Sequence, residues 1–184
     1  FLLYNVDCAA KDFASFNEKE HQGLFQSVSD QKYGSDAGTG KKWGYRFSEY
    51  LIQEEDDQGI GYTATKCGID RDTEADIGQA DICYDFEVPN GNYEITVGFF
   101  NPFGTRKIDV DCEEEQRVAG EKLLRFQLIE KQFQSKVEDG TLNLRVYNCQ
   151  GNNFIDTPIL SYMRIAVVPD YDKELLEGAL ERII

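Results

Sequence analysis

The residues able to do chemistry in this chain lie mostly in its loop-like segments, and they are of two kinds. Five aromatic residues, Tyr33, Trp43, Tyr45, Tyr62 and Phe103, stand near turn-forming residues; Arg46, Asn101, Arg106, Asn152, Asn153 and Asp156 lie in similar segments. A pyranose asks for both kinds, because it shows an apolar C–H face to a ring and a rim of hydroxyls to amides, carboxylates and guanidinium groups. Each ring contact contributes on the order of 1 kcal/mol. Hydrogen bonds to charged groups add roughly 1.5–3 kcal/mol. After the cost of association, two rings and a few such bonds leave micromolar to millimolar affinity, which suits targeting rather than tight capture.

Other chemistries fit less well. The single histidine, His21, lies in the polar stretch NEKEHQG, so a Ser-His or Cys-His device would hang on that one residue. Carboxylates are so numerous that no glycosidase-type pair stands out from a solvated acidic surface. The run IDRDTEAD places Asp70, Asp72, Glu74 and Asp76 at alternate positions but lacks the turn glycine and terminal bidentate Glu of an EF-hand. It reads as an exposed acidic loop, with a structural calcium ion as the lesser alternative and no other cofactor expected. In SDAGTGKK a lysine replaces the Ser or Thr of a phosphate-binding loop and no helix pattern follows, which argues against nucleotide binding.

The elements that must position these residues read as strands. ADICYDFEV alternates Ile82, Tyr84 and Phe86 with Cys83, Asp85 and Glu87, and NYEITVGFF puts Tyr93, Ile95, Val97 and Phe99 at period two. Between them PNG signals a turn, and the pair is expected to form a hairpin. FLLYNVDCA, TRKIDVDC, LRFQLIEKQFQSKV, GTLNLRVYN and ILSYMRIAVV supply further strands, with a second turn at Glu138–Gly140. Short alternating strands separated by turns predict an antiparallel, all-β sandwich. The tail DYDKELLEGALERII has apolar residues at helical spacing and predicts a short docking helix or a linker.

At 184 residues the chain is expected to hold one domain. Its 34 acidic and 19 basic residues leave a net charge of -15, a field that repels phosphate backbones and anionic headgroups, so neither nucleic acid nor a membrane surface is an expected partner. No apolar run approaches the ~20 residues of a spanning helix. The start FLLYNVDCAA has neither Met nor a charged leader region, and suggests a soluble module cut from a longer protein. Cys8, Cys67, Cys83, Cys112 and Cys149 form no CxxC pair and are expected mostly as reduced packing residues, with one disulfide as the alternative, which leans toward a reducing or anaerobic origin.

YNVDCA, then VPNGNYEITVGFFNPFGTRKIDVDCEEEQRV, then VEDGTLNLRVYN followed by FIDTPILSYMRIAV, occur in an order that resembles the malectin family and the malectin-like carbohydrate-binding modules of bacterial glycoside hydrolases. The resemblance covers most of residues 1–168 and implies a jelly-roll, galactose-binding-like sandwich, with residues 169–184 as the tail. A longer stretch, FNEKEHQGLFQSVSDQ, precedes the Trp loop than the family usually has, and the insertion in FFNPFG is shorter. The resemblance further implies a lectin-like cleft in the loops at one end of the sandwich. By position it assigns the cleft's rings to Trp43, Tyr62 and Phe103 and its acidic residue to Asp156; Tyr45, Arg106 and Asn153 join the candidate site on their residue types. Trp43 would then be an exposed platform held out by the glycines before it.

The expected function is a noncatalytic module that binds an oligosaccharide or polysaccharide and targets a covalently linked catalytic domain, a glycoside hydrolase, to it. The alternatives are a structural module that packs against that domain without binding sugar, and a hydrolase in its own right. The sequence does not point to a cellular location.

Overall fold

A computed structural model describes residues 2–8, 28–46, 51–55, 63–67, 81–102, 104–147 and 158–169, with the backbone alone at 29, 51–55 and 63–67. The strands in chain order are β1 (Leu2–Asp7), β2 (Val28–Ser29), β3 (Gly34–Ser35), β4 (Lys42–Tyr45), β5 (Leu51–Glu55), β6 (Thr63–Cys67) and β7 (Ile82–Glu87). They continue with β8 (Gly91–Asn101), β9 (Arg106–Cys112), β10 (Glu115–Leu123), β11 (Gln127–Val137), β12 (Thr141–Tyr147) and β13 (Tyr162–Val167). One sheet has the order β11-β8-β13-β1-β2 and the other β10-β9-β12-β7-β4-β3, while β5 and β6 form a separate ribbon. Pairing within the two sheets is antiparallel except for the short β1–β2 contact.

Period-two patterning decides which side chains meet. Ile82, Tyr84 and Phe86 of β7 are buried while Cys83 and Asp85 are half-buried and Glu87 is exposed. Leu142, Leu144 and Val146 of β12 alternate in the same way. These faces join Val6, Ile95, Val97, Phe99, Met163 and Ile165 of the opposite sheet in one apolar cluster, which makes the two sheets a sandwich. Full burial of each such side chain contributes about 1.5–3 kcal/mol. The predicted sandwich is therefore present, and no helix occurs among the described residues; the tail helix expected after residue 169 lies outside them.

The hairpin expected between β7 and β8 does not form. β7 pairs with β4 and β12, whereas β8 pairs with β11 and β13, so Pro89–Asn90 carries the chain from one sheet to the other. Alternation reports which face of a strand is buried, and an arch between sheets buries the same residues as a hairpin within one sheet. The corner is tied to the turn at Glu138–Gly140, itself a crossing from β11 to β12: Val88 N donates to Gly140 O at 3.0 Å and Asn90 Nδ2 to Glu138 O at 2.7 Å. From β7 to β13 the chain stays within one sheet only at the β9–β10 turn, where Cys112 pairs with Glu115 around Glu113 and Glu114. Their φ values of 53° and 61° belong to a turn that ordinarily takes Asn-Gly.

Candidate functional site

Trp43 is not the exposed platform that the sequence predicts. It is 1% exposed and lies in the core, its indole 3° from parallel with Phe86 at 5.8 Å and 6.0 Å from Tyr4. The glycine-bearing loop does not hold the ring out; it folds over it. Asp36 N donates to Lys41 O and Gly40 N to Asp36 O, both at 2.8 Å, and Trp43 Nε1 donates to Asp36 Oδ2 at 2.8 Å. A buried indole N–H needs an acceptor, and Asp36 supplies it while its other oxygen accepts from Gly38 N at 2.6 Å. The indole N–H holds the Asp36 carboxyl below the usual carboxylate range, against the opposing effect of burial and aided by the Gly38 and Thr39 amides.

Tyr45 and Arg106 also differ from expectation. Tyr45 is half-buried and meets Tyr84 edge to face at 6.1 Å, so it belongs to the wall of the core. Arg106 is 5% exposed, because it starts β9 in the inward register shared with Ile108, Val110 and Cys112. Its guanidinium is therefore not offered to a ligand at the surface. Arg46 instead pairs with Asp85 at 3.2 Å and lies 4.4 Å over the Tyr33 ring. Tyr62, Phe103, Asn153 and Asp156 lie outside the described residues, as do Asn152 and the acidic run 70–76.

Cys8 and Cys112 are buried and Cys83 is half-buried, and all three are free thiols. Burial first of all pushes the Cys83 and Cys112 thiols up to about 11.

The region with the clearest ligand-facing geometry is one that the sequence concealed. Leu124–Gln127 is a turn at the end of the sandwich where β8 and β10 finish and β9 and β11 begin, closed by Gln127 N donating to Leu124 O at 3.2 Å. Phe126 occupies its third position with φ 60°, a place that normally requires glycine. For a bulky L-residue this conformation costs roughly 1–2 kcal/mol. The ring recovers little of that by burial, since Phe126 is 60% exposed and Leu124 beside it 50%.

A buried amide holds the turn in place. Asn101 is 0% exposed and its Nδ2 donates to Gly104 O at 2.9 Å, Leu123 O at 3.2 Å and Leu124 O at 3.3 Å, while its main-chain carbonyl accepts from Phe126 N at 2.5 Å. One side chain thus ties the loop after β8 to the turn after β10. Arg125 Nε donates to Pro102 O at 3.3 Å, and the guanidinium lies 4.7 Å from the Phe126 ring centre. The sequence suggests Asn101 as a ligand group; the structure makes it the support of the turn. Phe126 carried no turn signal, because LLRF contains neither Gly, Pro, Asn nor Asp.

A different surface lies at the opposite end, where a groove of about 770 Å³ is lined by Glu113, Glu114, Arg117, Lys136 and Asp139 among others. Arg117 pairs with Glu115 at 2.6 Å and Lys136 with Glu138. Burial raises the Glu113 carboxyl, with Asp139, Asp85 and Glu114 adding to the effect and the Asn143 amide opposing it. The groove contains no aromatic residue. No group of three or more Asp, Glu, His or Cys arranged to hold a metal occurs among the described residues.

The architecture defines an all-β sandwich of two antiparallel sheets. The sequence matches no described protein family and no curated protein. Solved structures do match. Protein YXIM from Bacillus subtilis is 20% identical with a TM-score of 0.60, over 91% of this chain and 40% of its own. The β-glucuronidase of Bacteroides uniformis is 17% identical with a TM-score of 0.58, over 90% of this chain and 18% of its own. The ANXUR2 extracellular domain from Arabidopsis thaliana is 13% identical with a TM-score of 0.60, over 92% of this chain and 49% of its own. At these identities the likeness establishes the fold. The chain spans less than half the length of each of these proteins.

Proposed function

We propose that this chain is a malectin-like, noncatalytic carbohydrate-binding module that holds a parent enzyme, a glycoside hydrolase, against a glycan. The observation that carries the reading is Phe126: an open aromatic ring on a turn pinned by a buried Asn101, at a loop end of a rigid sandwich. Rings in this setting bind sugar faces because the area buried is large and little conformational freedom is lost. The likeness to a part of a β-glucuronidase chain supports the parent-enzyme element of the proposal.

Screening the intact domain on a glycan array, followed by titration calorimetry of the hits, tests the reading. Saturable binding in the micromolar to millimolar range is expected, with no turnover of chromogenic glycosides. Turnover would make the domain a hydrolase instead.

A second reading, a module that packs against a neighbouring catalytic domain without binding sugar, is favoured by Leu124 standing exposed beside Phe126, since paired apolar side chains are also what anchors a protein interface. Failure to bind any glycan would favour it.

A further inference from the structure

The end of the sandwich that carries Phe126 reverses the charge of the whole chain. Between Gly104 and Ile108 and between Glu121 and Gln127, the two arms of the β9–β10 hairpin hold three exposed bases, Lys107, Lys122 and Arg125, beside the buried Arg106, and one acid. That acid, Glu121, is paired with Lys131 at 2.8 Å. Elsewhere acids outnumber bases so heavily that the chain totals -15. Lys107 and Lys122 are direct cross-strand partners and both are exposed, an arrangement that places like charges on one face.

Arg125 is the base best placed to meet a ligand. Its Nε is committed to Pro102 O and its plane lies by the Phe126 ring, so the guanidinium is oriented while its terminal nitrogens take no partner among the described residues. An oriented guanidinium matches a carboxylate in two-point geometry. The acidic remainder of the molecule does not cancel this at contact, because screening at physiological ionic strength acts within about 8 Å.

We infer that this rim binds an acidic glycan, with a sugar face stacked on Phe126 and a uronic acid carboxylate held by Arg125 with support from Lys107 and Lys122. The inference rests on the carbohydrate-binding reading and narrows it to one ligand class. The test is calorimetry of the intact domain with a panel of uronic acid oligosaccharides, each beside its counterpart whose carboxyl has been reduced to the alcohol.

The native domain should bind an acid form about tenfold or more tightly than its reduced form, with the difference shrinking as salt is raised. Arg125→Gln should erase that preference while leaving the reduced form's affinity unchanged. Phe126→Gly should weaken both forms about tenfold while the melting temperature holds or rises, which separates lost binding from lost folding. Lys136→Gln, in the groove at the other end, should change nothing. Equal binding of acid and reduced forms, or binding indifferent to both rim substitutions, overturns the inference and leaves the carbohydrate-binding reading standing. No binding of any glycan, acidic or neutral, removes both.

Discussion

Trp43 and Phe126 are both aromatic residues beside a tight turn, and they end in opposite places. Over Trp43 the turn of residues 36–41 closes like a cover, and the ring is 1% exposed. At Phe126 the turn is the perch, and the ring is 60% exposed. The difference follows from the side chains and their supports. Indole brings an N–H that must be satisfied, and Asp36 satisfies it only by drawing its loop down onto the ring. Phenylalanine has no such handle, and the support at Phe126 is to the backbone, through Asn101. A glycine-rich loop therefore says little about whether its neighbouring ring is free. What matters is whether the hydrogen bonds run to the ring or to the chain beneath it.

The sharpest break of this comparison is to delete each ring in turn. Trp43→Ala should cost about 3–5 kcal/mol in denaturant unfolding, the range for a buried aromatic. A cost near zero would mean that the indole does not pack in the core. Gly98→Ala comes next. A methyl group there would meet the Tyr162 ring at 2.1–2.4 Å, and Tyr162 is 1% exposed with its hydroxyl donated to Glu130 at 2.7 Å. Overpacking of this kind costs typically 1–3 kcal/mol, and it would loosen the middle of β8, the strand that ends at Asn101.

Asp36→Ala removes the cover's fastening and leaves a buried N–H without its acceptor, worth about 1–3 kcal/mol. The same substitution should change the acid limb of the stability curve. Because the folded carboxyl sits below its ordinary value, its contribution is present above the unfolded pKa and is lost as pH falls through the lowered folded one. Urea midpoints between pH 5 and about 2 should fall less steeply in the variant. The smallest effect is expected at the perch, where relief of the positive φ in Phe126→Gly outweighs the added freedom of the unfolded chain by at most ~1 kcal/mol. A clear loss of stability there would show that the ring is held for the sake of the fold.

Trp43 is also the chain's only tryptophan, so its fluorescence should report the core and not the rim. Emission is expected to be blue-shifted, poorly quenched by iodide and unmoved by bound sugar.

The strands themselves were legible because alternation is a local property: Ile82, Tyr84 and Phe86 declare a buried face within five residues. Pairing is not local, and the Pro89–Asn90 corner shows the consequence, since its turn signal is equally good for a hairpin and for a crossing between sheets. The β9–β10 turn was hidden for another reason. Glu113 and Glu114 adopt positive φ without the residues that advertise it. Phe126 was concealed in the same way, absorbed into an apolar stretch read as one strand. Trp43 was misread although its period-two relation to Tyr45 and the acceptor seven residues upstream were both visible in the sequence. Arg106 followed the same logic: its place two residues before Ile108 put it in the inward register.

β1 reaches the body of its sheet through β13, which stands between it and β8. Asn5 is matched with Arg164, so β1 has to wait for β13 to be synthesised before its antiparallel hydrogen-bonding edge is satisfied. A nascent chain of this domain cannot lock its sheets piece by piece as it emerges, and loop closure over such a separation makes folding slow relative to helical domains of equal size. Cutting the gene ahead of Tyr162 would release a polypeptide whose β1 lacks its antiparallel partner, a natural client for chaperones and proteases.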